Sequence, residues 1–248
     1  MKKGDAVMLP VGKIKEIWRY PVKSFAGERL ESCRIETYGL YGDRSHAFID
    51  ETKEGWSRYF TARQIPVMLR YRARLIGEGT VREFPPVEII APDGRMLGWD
   101  ERLLKDMQAH SRRNMSMIRY DPHHPDLLAV DAGSLLIVTD ASLRKLEHLW
   151  GKKPDRRRFR ANVVVSLAEN ALTENGWIGK RLRMGDAELH VDDWCERCKM
   201  IAIDPDTLEY DASLLKTVHE EMDGRFGVYA SVKKTGPIRV GDQVYVVD

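Results

Sequence analysis

The residues best equipped for chemistry are two cysteines in the run Trp194-Cys195-Glu196-Arg197-Cys198-Lys199. Thiolate is the nucleophilic and metal-binding form of cysteine, and neighbouring cations favour it. Arg197 and Lys199 flank Cys198 in the chain. Soft sulfur suits transition metals. Several readings stay open from these residues alone. One is a functional, metal-binding thiol. Another is a pair of small core residues, since free cysteine is commonly buried. A third is structural zinc, with His190 beside the two sulfurs. Zinc wants four ligands, and no second C-x-x-C or H-x-x-x-H is present. A thioredoxin-like redox motif would need a βαβ setting that the surrounding pattern does not show.

Three basic segments could hold an anion. Tyr20-Pro21-Val22-Lys23-Ser24 offers a lysine, a hydroxyl and backbone N–H groups where the chain leaves a strand. Gly39-Leu40-Tyr41-Gly42-Asp43-Arg44 is a glycine-assisted turn ending on an arginine suited to bidentate phosphate contact. Arg158-Phe159-Arg160-Ala161-Asn162 opens an apolar stretch with two guanidiniums and an amide able both to donate and to accept. Each has a bland alternative: a surface lysine, a solvated turn, or an edge-strand charge cluster that discourages pairing with other chains.

The elements that must position these groups read as mostly β. Residues 11–20, 30–36, 45–49, 68–75 and 87–90 are short, β-branched or aromatic, and broken by Gly, Pro and Asp. Helices are expected over 101–112, after Thr139-Asp140 up to Gly151, and over 212–222. Strands return at 162–167, at 181–191 with a turn at Gly185-Asp186, at 226–232, and at 238–247 with a turn at Gly241-Asp242. Many short strands with few helices predict a barrel rather than a doubly wound sheet. No G-x-G-x-x-G or Walker A pattern supports a nucleotide fold.

At 248 residues the chain suits one large or two small domains, here divided as 1–105 and 106–248. The net charge of +2 argues against a general nucleic-acid partner. No apolar run reaches the roughly 20 residues of a membrane span, and the N-terminus lacks the apolar core of a signal peptide. Three cysteines, an odd number, argue against a secreted disulfide scaffold and point to a reducing, cytoplasmic setting.

Read together and in order, these segments resemble the MOSC family, named for the C-terminal domain of molybdenum cofactor sulfurases, in the form that carries an N-terminal β-barrel domain. The resemblance rests on Arg19 to Ser24, Gly39 to Arg44, Phe60-Thr61-Ala62-Arg63-Gln64-Ile65-Pro66, Asp140 to Leu143 and Arg158 to Asn162. It continues through Cys195 to Cys198, Asp204 to Thr207, Phe226 to Tyr229 and Gly236 to Asp242. It implies a mainly β architecture, with a MOSC-type barrel core and a barrel-like N-terminal domain around a cofactor cleft. It implies that Cys198 ligates molybdenum, and that Lys23, Ser24, Arg44, Thr61, Arg63, Arg160, Asn162 and Arg197 hold the molybdopterin. The implied activity is reduction of N-hydroxylated small molecules. The family's usual proline in Arg-Phe-Arg-Pro-Asn is Ala161 here. The four-cysteine ferredoxin segment of some bacterial relatives has no counterpart in these residues, so a separate electron-donor protein is expected. The alternative is a carrier of molybdenum cofactor or of sulfur that does not turn over. Nothing in the sequence speaks to oligomeric state.

Overall fold

A computed structural model describes residues 8–124 and 128–247. In chain order the elements are β1 (Met8–Arg19), β2 (Glu28–Leu30), β3 (Ser32–Glu36), β4 (Gly39–Leu40), β5 (His46–Ile49), β6 (Arg72–Leu75), β7 (Val87–Ile90) and β8 (Met96–Leu97). Helix α1 (Glu101–Gln108) and β9 (Ser116–Arg119) follow, then β10 (Leu135–Thr139), α2 (Asp140–Trp150), β11 (Val163–Leu167), β12 (Arg181–Met184) and β13 (Ala187–Glu196). The chain closes with α3 (Ala212–Glu221), β14 (Arg225–Lys234), β15 (Gly236–Arg239) and β16 (Gln243–Val247).

Seven strands close into a barrel in the order β1-β11-β10-β14-β13-β12-β16, and β16 returns to β1. Only β10 and β11 run parallel, joined through α2. Closure pairs both edges of this seven-stranded sheet, so neither is free to template aggregation. The inward side chains include Val11, Ile14, Ile17, Ile137, Val163, Val165, Leu189, Val191, Val228 and Val244, and they form one buried core. Strand β1 is squeezed between β11 and β16. At Gly12 a Cβ would meet Ser166 O at 2.2 Å, so only glycine permits that approach.

Helices α2 and α3 cover the outside of β10, β11 and β14, where Leu136, Val138, Val164 and Phe226 pack on Leu146, Leu214 and Val218. Thr139 caps α2 by accepting from Ser142 N at 3.1 Å, and Gly151 ends it in the left-handed region. A second apolar core gathers Val22, Phe25, Phe48, Phe60, Met68, Ile89, Leu103 and Met107 under the sheet of β6, β7 and β8.

The fold is mainly β with three helices among the described residues, as the strand spacing predicts. Several segments differ locally. Residues 68–70 belong to a 3-10 turn opened by Pro66, whose missing N–H and fixed φ favour that start, and only residues 72–75 are strand. The stretch 30–36 breaks at Glu31. Helix α1 stops at Gln108, whose side chain donates to Ser111 O and Arg113 O and so turns the chain out of the helix. Strand β10 lies outside the sequence-based assignment: four successive apolar residues, Leu135 to Val138, show no period.

Candidate functional site

All nine site residues that the family resemblance implies line one cavity of about 470 Å³, which His190 does not reach: Lys23, Ser24, Arg44, Thr61, Arg63, Arg160, Asn162, Arg197 and Cys198. They arrive on five connections, and a sixth joins them. The loop after β1 carries Lys23 and Ser24, the β4–β5 loop carries Arg44, and the segment after β5 carries Thr61 and Arg63. The turn before β11 carries Arg160 and Asn162, and the exit of β13 carries Arg197 and Cys198. The sixth, residues 130–133 before β10, adds Asp131. Main-chain bonds lock the first two loops together: Lys23 N donates to His46 O at 2.9 Å, and Arg44 N to Tyr20 O at 2.7 Å.

Strand β13 explains why the two cysteines part company. Its pairing with β14 is interrupted between Val191 and Asp193 and again between Trp194 and Glu196. Such bulges re-aim side chains. Cys195 turns into the helix-covered core at 2% exposure, while Cys198, beyond the strand end, is exposed. The cation that meets the Cys198 sulfur comes from far away in sequence: Arg63 Nε donates to Sγ at 3.4 Å. Arg197, adjacent in the chain, turns its Nε to Phe226 O at 2.9 Å and Nη1 to Phe159 O at 3.1 Å.

The opposite charges are unevenly matched. Lys23 is buried, and its Nζ lies 2.7 Å from Asp131 Oδ1. Burial pulls the Lys23 ammonium down to about 8, against the upward pull of Asp131. Burial raises the Asp131 carboxyl, but Lys23 and then Arg63 outweigh it and hold it at about 2. Asp131 is nonetheless 42% exposed, because the open cavity lies beside it. Arg44 is paired with Asp43, which also accepts from Tyr20 N at 2.7 Å and Asn162 Nδ2 at 3.0 Å. Arg160 and Arg197 have no ion-pair partner among the described residues, and each keeps a buried Nη2 without a hydrogen-bond partner. Burial, then the neighbouring Arg44, pulls the Arg160 guanidinium down to about 10, so it stays charged at neutral pH.

Three site residues sit in the left-handed backbone region: Ser24 at φ 68°, Arg44 at 50° and Arg160 at 54°. That conformation costs a non-glycine residue roughly 1–2 kcal/mol. Local bonds hold each one. Ser24 Oγ accepts from Ala62 N at 3.0 Å, Arg44 Nη2 donates to Arg160 O at 3.1 Å, and Arg160 Nη1 donates to Phe25 O at 2.7 Å. The Arg44 and Arg160 guanidiniums both lie over the Tyr20 ring, at 4.4 and 4.3 Å. Asn162 is placed differently from an amide that reads a heterocycle. Its Oδ1 accepts from Leu136 N, and its Nδ2 serves Trp18 O and Asp43, so both ends brace the framework. Thr61 is engaged with Gln64.

Comparison with known proteins assigns this architecture. The MOSC domain profile matches residues 124–245, and the MOSC N-terminal beta barrel domain profile matches residues 11–121. The chain belongs to the MOSC family. This MOSC protein is 26% identical to mitochondrial amidoxime reducing component 2 of Macaca fascicularis, over 95% of this chain and 83% of that one. A shorter stretch, 40% of this chain and 14% of its relative, is 39% identical to molybdenum cofactor sulfurase 2 of Culex quinquefasciatus. The crystal structure of the YUAD protein from Bacillus subtilis shares the fold, with a TM-score of 0.51 at 13% identity and 98% coverage of both chains.

The residues of the MOSC protein fit a molybdopterin on chemical grounds. The buried Arg160 and the half-buried Arg197, each with a buried unsatisfied Nη2, suit an anionic group, and an exposed sulfur suits a soft metal. The zinc alternative fares worse. Among the described residues no three His, Cys, Asp or Glu side chains form a group able to hold a metal, and His190 pairs with Asp192 instead. Asp131 and Trp56, whose indole Nε1 donates to Asp131 O at 3.0 Å, escaped sequence reasoning because neither stands in a patterned segment.

Proposed function

We propose that this protein is a molybdenum-cofactor-dependent oxidoreductase that reduces N-hydroxylated small molecules with electrons from a separate donor protein. The observation that carries the reading is one exposed cysteine sulfur sharing a cavity with the buried Arg160 and the half-buried Arg197, each with a buried Nη2 that has no hydrogen-bond partner. In this reading Cys198 is the soft ligand to molybdenum, and Arg160 and Arg197 receive the anionic part of the pterin. Ser24, Arg44, Thr61 and Asn162 shape the corner that holds it. The metal, when bound, supplies the two-electron removal of oxygen from the substrate nitrogen. Arg63 orients the Cys198 sulfur by donating to it. The substrate class follows the naming of the amidoxime reducing components, which this chain resembles over most of their length.

The test is molybdenum and pterin content of protein purified from a host that makes the cofactor, followed by turnover of an amidoxime with a supplied reductant. Near-stoichiometric molybdenum, lost in Cys198→Ser, together with turnover supports the reading. Cofactor without turnover supports the carrier alternative, which the similarity to a cofactor sulfurase favours. A folded protein with neither molybdenum nor pterin overturns both.

A further inference from the structure

The Lys23 ammonium is engaged by the protein itself. Nζ donates to Ala129 O at 2.7 Å and to Asp131 Oδ1 at 2.7 Å, and it lies 4.2 Å from the centre of the Trp56 ring. Asp131 offers its second oxygen to Arg63 Nη2 at 3.0 Å, and Arg63 turns its Nε to Cys198. The same segment is tied twice more through its main chain: Ala129 N donates to Arg44 O at 3.2 Å, and Asp131 O accepts from Trp56 Nε1. One short segment before β10 is thus pinned to the loop after β1, to the β4–β5 loop and to the chain after β5.

We propose that Asp131 is a positioning residue of the site: by binding Lys23 and Arg63 at once, it clamps the segment before β10 against the N-terminal half and aims Arg63 at the Cys198 sulfur. Lys23 is the other jaw of this clamp. Electrostatics supports the assignment. A buried ammonium is costly unless paired. Its carboxylate partner is supplied by the protein, whereas Arg160 and Arg197 are left without one. Lys23 and Arg63 share the one carboxylate of Asp131 and Arg44 pairs with Asp43, whereas Arg160 and Arg197 keep a buried N–H that can meet an anion. It deepens the function proposed above only in its last consequence, the effect on cofactor retention.

Asp131→Asn, Asp131→Glu, Lys23→Met and the double variant Lys23→Met/Asp131→Asn test this in the full chain. Hydrogen exchange by mass spectrometry reads the clamp whether or not cofactor is present. Asp131→Asn is expected to speed exchange together in residues 128–133 and 61–64, leaving residues 181–191 unchanged. Asp131→Glu is expected to restore much of the protection. Molybdenum and pterin content gives the second readout. Each single change is expected to lower it about tenfold, and the double variant to fall less than about twofold further, because both remove one interaction. Exchange that rises in only one of the two segments, or a double variant whose loss is the product of the single losses, overturns the proposal. Should wild-type protein hold no molybdenum, the functional reading fails, while the exchange experiment still decides the clamp. If Asp131→Asn does not fold, loss of the coupled protection in Lys23→Met decides it, and its absence there overturns it.

Discussion

At the scale of single residues, burial separates groups that look alike in sequence. Cys195 packs among Leu136, Phe226 and Val218, whereas Cys198 stands in the open at the cavity. Cys198→Ser is expected to abolish molybdenum retention with little change in stability. Cys195→Ser is expected to retain metal and to lose about 1–3 kcal/mol of stability, since a hydroxyl replaces an apolar contact. Metal content and urea denaturation on both variants check the contrast. His46 offers a pH signature. It is 2% exposed, its Nδ1 lies 2.9 Å from Ser45 Oγ, and burial, with Arg119 adding to it, pushes it from 6.5 down to about 3. A base whose folded value is depressed binds fewer protons folded than unfolded. Its stabilising effect is therefore complete above pH 6.5 and is lost as pH falls toward 3. The expected slope is about 1.4 kcal/mol per pH unit below 6.5. Denaturation midpoints between pH 7 and pH 5 should fall in wild type and flatten in His46→Gln.

At the scale of elements, the site is built from corners rather than from regular structure. The 3-10 turn at Arg156–Phe159 is capped by Asp155, which accepts from Arg157 N at 2.9 Å, and it delivers Arg160 in the left-handed region. Strain of this kind persists only where neighbouring contacts over-determine it, and it clusters at binding sites. Comparing two truncations isolates the backbone term. Arg160→Gly and Arg160→Ala lose the same side chain, but only glycine adopts that φ freely. Arg160→Gly is expected to be more stable than Arg160→Ala by about 1 kcal/mol, and both are expected to lose cofactor. Equal stability of the two would mean that the corner relaxes out of the left-handed region.

At the scale of the whole molecule, the two halves of the chain are interlaced. Strand β1 belongs to the barrel, between β11 and β16, although it stands at the beginning of the chain. Strand β15, near the end, pairs with β3. Removing the first half therefore opens the barrel along two ladders. A fragment of residues 106–248 is expected to lack the closed barrel and to expose apolar surface, read as dye binding and loss of near-ultraviolet dichroism. The full chain is expected to unfold in one transition by fluorescence and by far-ultraviolet dichroism together. A compact, cooperatively folding fragment would count against this interlacing as the source of stability.

The sequence by itself pointed to the mainly β character and to three helices, with Thr139 or Asp140 as the start of the second, and its resemblance to a family named the nine residues that meet in the cavity. These depend on local pattern and on motifs that survive in linear order. It left β10 unassigned, because an unbroken apolar run has no period from which strand or helix can be told. Only the tertiary structure decided the partners: that Arg63, not the adjacent Arg197, meets Cys198; that Asn162 braces Leu136 and Asp43; and that Asp131 neutralises Lys23. The reason is physical. Which charges are matched in a buried site depends on side chains brought within a few ångströms by barrel closure, and spacing along the chain does not encode those approaches.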